Sequence, residues 1–264
     1  MSLGPEASAA SPQPPAPVAR RVEELFVASG ALRQGHFQLK SGRHAERYLE
    51  KFQVLQYPQA VTELCAQLAA LVAAPAARRV DVVVGPTTGG VILAFEVARQ
   101  LGVRGIFAEE VRDPDGTTRR EFRRGFALAE GERVLLVDDI LTTGGSLVAM
   151  LPPIEAAGAE LVLAAVLVDR SGGLTSVTSP VSGYAFPATA LWTLDLPTFE
   201  PGAATCPACA AGVPLEVPGS SGTKTAVGGQ IAEASHPRTG DAVPAVAPPA
   251  APSGAPAESH GPAA

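Results

Sequence analysis

Residues Val134–Leu147 read VLLVDDILTTGGSL. The run Val134-Leu135-Leu136-Val137 is continuously apolar, which fits a strand buried on both faces of a parallel sheet. Two carboxylates, Asp138 and Asp139, follow where that strand should end. Neighbouring side chains on a strand point to opposite sides, so one carboxylate can face a ligand while the other reaches around it or turns to the backbone. Carboxylates suit sugar hydroxyls, from which each accepts two hydrogen bonds, and equally Mg²⁺, which prefers oxygen ligands. Past Ile140 and Leu141, the segment Thr142, Thr143, Gly144, Gly145 and Ser146 leads into a helix. The first N–H groups of a helix have no intrahelical partner, and the helix dipole favours an anion beside them. The two glycines let a phosphate approach the backbone, and the hydroxyls add donors. The stretch describes a phosphate cradle beside a diol grip, a shape suited to a ribose 5-phosphate. A plain strand–turn–helix with a capping threonine and a surface Asp pair is the alternative. Neither a P-loop nor a dinucleotide fingerprint is present.

Working outward, the same reading applies on both sides. Residues 79–85, RVDVVVG, form another short apolar run, predicting a buried strand. GGVILAFEVARQLG carries Val91, Ala94, Phe95, Ala98 and Leu101 at helical spacing and closes on Gly102. VRGIFAEE and ELVLAAVLVDR predict two further strands, with a polar stretch over 109–124 after the first. GGSLVAML starts a helix that Pro152 and Pro153 should break or kink. Upstream, ARRVEELFVASGAL predicts an amphipathic helix ending at Gly30. HFQLKSGRHAERYLEKFQVL is strand-like about a Ser-Gly turn, and YPQAVTELCAQLAALVAA predicts a helix with Pro58 in its first turn. Strands alternating with helices argue an α/β fold around a mostly parallel sheet. Ligands then gather at the carboxyl ends of the strands. Three segments sit there: Gly85-Pro86-Thr87-Thr88-Gly89-Gly90, Asp138–Ser146 and Asp169-Arg170-Ser171.

Composition bounds the function. The chain has 264 residues, is 46% hydrophobic and carries a net charge of -6, which argues against general nucleic-acid binding. It holds no apolar run of transmembrane length, its N-terminus lacks the pattern of a signal peptide, and three cysteines are too few for a disulfide framework. The expectation is a cytoplasmic protein. Residues 1–17 are rich in Ala, Pro and Ser, and from Gly219 onward there is no Leu, Phe, Tyr or Trp. Such segments cannot recover their ordering entropy. The predicted organisation is a disordered extension over 1–17, one domain over 18–217, and a disordered tail over 218–264.

VLLVDDILTTGGS resembles the phosphoribosyl-diphosphate (PRPP) signature of type I phosphoribosyltransferases. FQLKSGRHAERYL, VVVGPTTGGVILAFEVARQLG and VLVDRSGG resemble three further segments of the orotate phosphoribosyltransferase family, in family order over about 20–175. The resemblance implies the type I phosphoribosyltransferase fold with a small hood, and transfer of ribosyl phosphate from PRPP to N1 of orotate with Mg²⁺ as cofactor. It implies a homodimer with shared active sites. Asp138 and Asp139 would hold the ribose 2′- and 3′-hydroxyls, and Thr142–Ser146 the 5′-phosphate, with Thr142 also touching orotate. Thr87, Thr88 and Gly89 would bind pyrophosphate. Arg170 would pair with the orotate carboxylate, for which a planar guanidinium is suited; a surface ion pair with Asp169 or a neighbour is its alternative. Lys40 would reach orotate or the phosphates, and Tyr48 would lie against the orotate ring. Rival readings are a phosphoribosyltransferase for another base and a non-catalytic PRPP-binding regulator.

Two departures follow. The family's flexible loop carries lysine and histidine, and residues 109–131 have neither. Arg112, Arg119 and Arg120 are the candidates to serve in its place, with Glu109-Glu110 standing where basic residues are expected. CPACAAG holds Cys206 and Cys209, a Cys-x-x-Cys pair resembling half a zinc knuckle. No second pair lies near it in sequence, so zinc through two half-sites of a dimer competes with reduced structural thiols, the favoured reading. His36 and His44 read as local strand-end residues, and Cys65 as core.

Overall fold

The computed structural model describes residues 12–73, 79–218 and 224–225. At its centre is a seven-stranded sheet in the order β5-β4-β3-β6-β7-β9-β8. The strands are β3 (Val82–Pro86), β4 (Arg104–Arg112), β5 (Thr118–Phe122), β6 (Arg133–Leu141), β7 (Glu160–Asp169), β8 (Ser176–Thr178) and β9 (Ala185–Thr193). The five inner strands run parallel, and β5 and β8 close the edges antiparallel. Strand order reverses between β3 and β6, each pairing to the other in parallel. That places the Gly85–Gly90 and Asp138–Ser146 segments on either side of the crevice where such sheets bind ligands.

The sheet divides two cores, and β6 shows the alternation. Val134 and Leu136 face helix α5 (Gly145–Ala156), packing with Leu147, Met150, Leu151 and Ile154. Leu135 and Val137 face α1 (Ala16–Ala28), α3 (Pro58–Ala73) and α4 (Gly89–Leu101). Asp138 and Asp139 continue this alternation, one toward each side. A smaller sheet, β11-β10-β1-β2, is built from β1 (Leu32–Gln38), β2 (His44–Leu49), β10 (Glu216–Val217) and β11 (Lys224–Thr225). Between β2 and α3 lies the short helix α2 (Phe52–Leu55), where the sequence suggested strand. No helix among the described residues is long and apolar enough to cross a membrane.

Other expectations are corrected. Pro152 and Pro153 lie inside α5 and do not break it. Each proline forfeits a ladder bond, a loss of about 3 kcal/mol. The four fully buried side chains of that helix each contribute about 1.5–3 kcal/mol, enough to hold it together. On α4 the buried face is Leu93, Ala94, Val97 and Ala98, whereas Phe95, read as part of it, is 70% exposed. The polar stretch 109–124 is not a single loop: β4 and β5 pair across it as a hairpin, Glu110 opposite Arg120, about a turn at Asp113-Pro114-Asp115-Gly116, and a second turn at Arg123–Arg124 follows β5. The described structure starts ahead of the predicted boundary at residue 18: Thr189 Oγ1 donates to the Pro12 carbonyl at 2.7 Å, and α1 opens at Ala16. The rest of the N-terminal extension and, beyond residue 218 and β11, of the tail lies outside the described residues.

Candidate active site

At the end of β3 the chain turns through Thr87-Thr88, a cis peptide, into α4. The turn is tight because glycines form it. A Cβ on Gly85 would sit 2.1 Å from the Gly90 carbonyl oxygen, and one on Gly89 would sit 1.7 Å from Asp139 Oδ2. Side chains longer than hydrogen therefore cannot stand at either place with this backbone, and Asp139 packs directly on the α4 N-terminus. Lys51, at the start of α2, brings Nζ to 2.8 Å from the same carboxylate. The Ile140 N–H donates to Asp139 Oδ1 at 2.6 Å. Lys51 was not a candidate on sequence grounds: it stands 88 residues from Asp139 and no motif marks it.

Asp138 lies on the opposite face, near Ser146, and accepts from the Asp139 N–H at 2.9 Å. Burial and the neighbouring Asp139 charge raise its carboxyl above the ordinary carboxylate range. No cation pairs with it among the described residues. Thr142 and Thr143 are exposed; Gly144 takes a left-handed φ of 80° and caps α5 without any side-chain hydrogen bond. The first N–H groups of α5 thus face a small concavity lined by Asp138 and Ile140–Leu147. Leu141 belongs to the α5-side core and Ile140 packs against the other core, so their backbone rather than their side chains lines the concavity.

The end of β7 divides Asp169 from Arg170. Burial alone would raise the Asp169 carboxyl, but donors from Ser171, Leu174 and Gly173 outweigh it and hold it below its usual range. Ser171 N and Oγ both lie 2.6 Å from Asp169 Oδ1. Asp169 is therefore occupied by its own turn, and the Asp169–Arg170 ion pair offered as an alternative does not form. Arg170 donates its backbone N–H to Leu141 at 2.8 Å, beside the phosphate segment. Its Nε is buried and has no hydrogen-bond partner, and desolvation lowers the guanidinium pKa. Tyr48 lies close enough to interact with Arg170 electrostatically and packs on Phe37 with ring centroids 5.5 Å apart. Lys40 is exposed in the β1–β2 turn.

The three arginine candidates separate. Arg120 Nη1 is 3.0 Å from Thr87 Oγ1, and Nη2 is 3.4 Å from Glu110. Arg119 is tied to Asp113 and Glu121, and Arg112 is exposed at the end of β4. Arg119 and Arg120 line a cleft with Gly145 and Ser146. Glu109, like Glu110, is paired to the returning strand side, with Arg124. Away from this crevice, the structure gathers Cys206 and Cys209 with His36 and His44, so the two histidines are not merely strand-end residues. The available signal was a histidine on each arm of one predicted hairpin.

Residues 53–184 match the phosphoribosyl transferase domain family. A Caldicellulosiruptor saccharolyticus protein named orotate phosphoribosyltransferase is 41% identical over 201 residues, 76% of this chain and 96% of that protein. One of the same name from Acidithiobacillus ferrooxidans is 41% identical over 204 residues, 77% of this chain and 98% of that protein. Among solved structures, orotate phosphoribosyltransferase from Aeropyrum pernix is similar at 25% identity with a TM-score of 0.53, covering 66% of this chain and 93% of that one.

Proposed function

We propose, from the premise that the chain belongs to the orotate phosphoribosyltransferase family, that the crevice between β3, β6 and β7 binds PRPP and orotate with the residues described above. The reaction breaks the bond from ribose C1 to the pyrophosphate oxygen and forms one from C1 to N1 of orotate, giving orotidine 5′-phosphate and pyrophosphate for pyrimidine synthesis. Asp138 accepts from the ribose hydroxyls, and Asp139, steadied by Lys51 and Gly89, holds the second wall of that grip. The Thr142–Ser146 backbone and hydroxyls receive the 5′-phosphate at the α5 N-terminus. Thr87, Thr88 and Gly89 receive the pyrophosphate, whose departing charge Arg120 offsets. These groups act by placement and by charge complementarity to the leaving group.

Arg170 carries the reading for orotate. A half-buried guanidinium with an unpartnered buried Nε, beside an aromatic ring and the phosphate segment, suits a planar ligand bearing a carboxylate. Tyr48 lies against the ring, and Lys40 closes from the hairpin turn. Mg²⁺ fits the donor chemistry: Asp138 is a buried carboxylate that forms no ion pair among the described residues. When bound with PRPP, Mg²⁺ supplies positive charge at the pyrophosphate.

We also place the protein in the cytoplasm, as a homodimer. Phe95 and Ile92, one turn apart on α4, are 70% and 36% exposed, and Phe52 on the neighbouring α2 is 42% exposed. A second copy is the occupant that an enzyme with shared sites requires. The deciding assay offers purified protein with PRPP and Mg²⁺ orotate, uracil, hypoxanthine and adenine in turn. Pyrophosphate release with orotate alone, matched by loss of orotate absorbance, is expected. Turnover of another base in its place would overturn the assignment.

A further inference from the structure

His36 on β1, His44 on β2, and Cys206 and Cys209 at the short helix α6 (Pro207–Ala210) bring four potential ligand atoms within 4.8 Å of one another. His36 Nε2 is 2.8 Å from His44 Nδ1, 3.6 Å from Cys206 Sγ and 3.5 Å from Cys209 Sγ. His44 Nδ1 is 3.3 Å from Cys209 Sγ. Both histidines and Cys206 are buried, Cys209 is partly so, and the thiols are not joined as a disulfide. His36 Nδ1 lies 2.8 Å from the Val213 carbonyl. It must donate there, so its proton is on Nδ1 and the Nε2 lone pair points into the cluster.

We infer that this cluster is a structural zinc site, Cys₂His₂ in composition, formed within one chain. Zinc bonds of about 2.0–2.1 Å to nitrogen and about 2.3 Å to sulfur put tetrahedral ligand atoms roughly 3.3–3.8 Å apart. Three of the nitrogen–sulfur separations, at 3.3–3.6 Å, already match, and the two imidazoles need to part by about half an ångström. Two nitrogens with two sulfurs in a tetrahedral array select zinc among the common metals, and four protein ligands leave no open position for chemistry. Charge agrees with burial. Both thiols release their protons to solvent on binding, both histidines bind neutral, and two thiolates cancel the ion. The His36–Val213 hydrogen bond is the outer-shell contact that orients a zinc-bound imidazole.

The site fastens residues 199–213 to the β1–β2 hairpin. His44 and Phe199 already exchange backbone hydrogen bonds there, at 2.9 and 2.8 Å. The same hairpin carries Lys40 in its turn and Tyr48 on β2, so zinc would hold the orotate side of the crevice in place. That last consequence rests on the proposed function, whereas the metal site itself does not.

Full-length protein purified under reducing conditions without chelator should contain about one zinc per chain by mass spectrometry of the metal. Cobalt exchanged into the site should show tetrahedral d–d bands and thiolate-to-cobalt charge transfer. The C206S/C209S double variant should lose zinc by about tenfold or more, and Cys65→Ser should keep it. Should the double variant fail to fold, the wild-type thiols decide: Cys206 and Cys209 should resist a thiol reagent until chelator is added. Asp138→Asn should retain zinc while losing turnover, which separates failure of this site from failure of the catalytic assignment. Reduced protein that takes up neither zinc nor cobalt, a Cys206–Cys209 disulfide in freshly reduced protein, or undiminished zinc in a folded double variant would each overturn the proposal.

Discussion

Arg170 and Asp138 show how one residue's surroundings set its task. Arg170 has charge and a planar fork but no partner for its buried Nε. Truncating it removes a charge-assisted contact worth about 2 kcal/mol, a factor of roughly 30. Arg170→Ala should therefore weaken orotate by that factor while PRPP affinity changes little, as calorimetric titration of each ligand would read; equal weakening of both contradicts the carboxylate role. Asp138 is an acid held above its usual range by burial and by the Asp139 charge, and pulled back by the Asp139 N–H, by Ser146 and by the Lys51 charge. Protonation removes an acceptor from the ribose grip, so PRPP affinity should fall as pH drops through that raised pKa. Lys51→Met removes a charge that lowers the Asp138 pKa. The pKa then rises further, and the fall in affinity should move to higher pH. A shift to lower pH would show that Lys51 does not act on Asp138 in this sense.

At the scale of elements, the site depends on two strand-to-helix turns and one hairpin. The β3–α4 turn leaves no room at Gly89, where a methyl would meet the Asp139 carboxylate at 1.7 Å. Gly89→Ala must push Asp139 away from Lys51 and should cost about 1–3 kcal/mol in unfolding free energy, with PRPP affinity lost in parallel; denaturant melts and ligand titration together test it. The β4–β5 hairpin directs Arg120 onto Thr87, holds Arg119 on Asp113, and leaves Arg112 at its outer end. Arg120→Ala should lower turnover tenfold or more, the equivalent of about 1.4 kcal/mol in the barrier. Arg112→Ala and Arg119→Ala should leave turnover within about threefold. If all three behave alike in steady-state kinetics, the placement of Arg120 against Thr87 has no catalytic weight.

For the whole molecule, the two cores make the sheet a rigid platform, and the exposed face of α4 gives that platform an outer side with apolar residues. Phe95→Glu places a charge where a second copy is proposed to dock. Sedimentation should report a dimer for the wild-type chain and a monomer for this variant, with the thermal midpoint of the monomer nearly unchanged, because Phe95 is outside both cores. A wild-type monomer that turns over orotate fully would end the dimer proposal.

The sequence by itself determined what depends on short-range periodicity and backbone chemistry. Continuous apolar runs marked β3, β6 and β7. Gly30 and Gly102 punctuated the chain, and the order of the Gly85–Gly90, Asp138–Ser146 and Asp169–Arg170 segments placed the crevice. Only the tertiary structure decided which distant groups meet. Lys51 reaches Asp139 across 88 residues, Arg120 reaches Thr87 across 33, and Cys206 reaches His36 across 170. No local pattern encodes such pairings, because they follow from how strands stack and helices cover them. Packing likewise overrode local propensity where buried side chains held Pro152 and Pro153 within a helix. It also made a paired hairpin of most of the polar 109–124 stretch, with Glu110 and Arg120 paired across the strands.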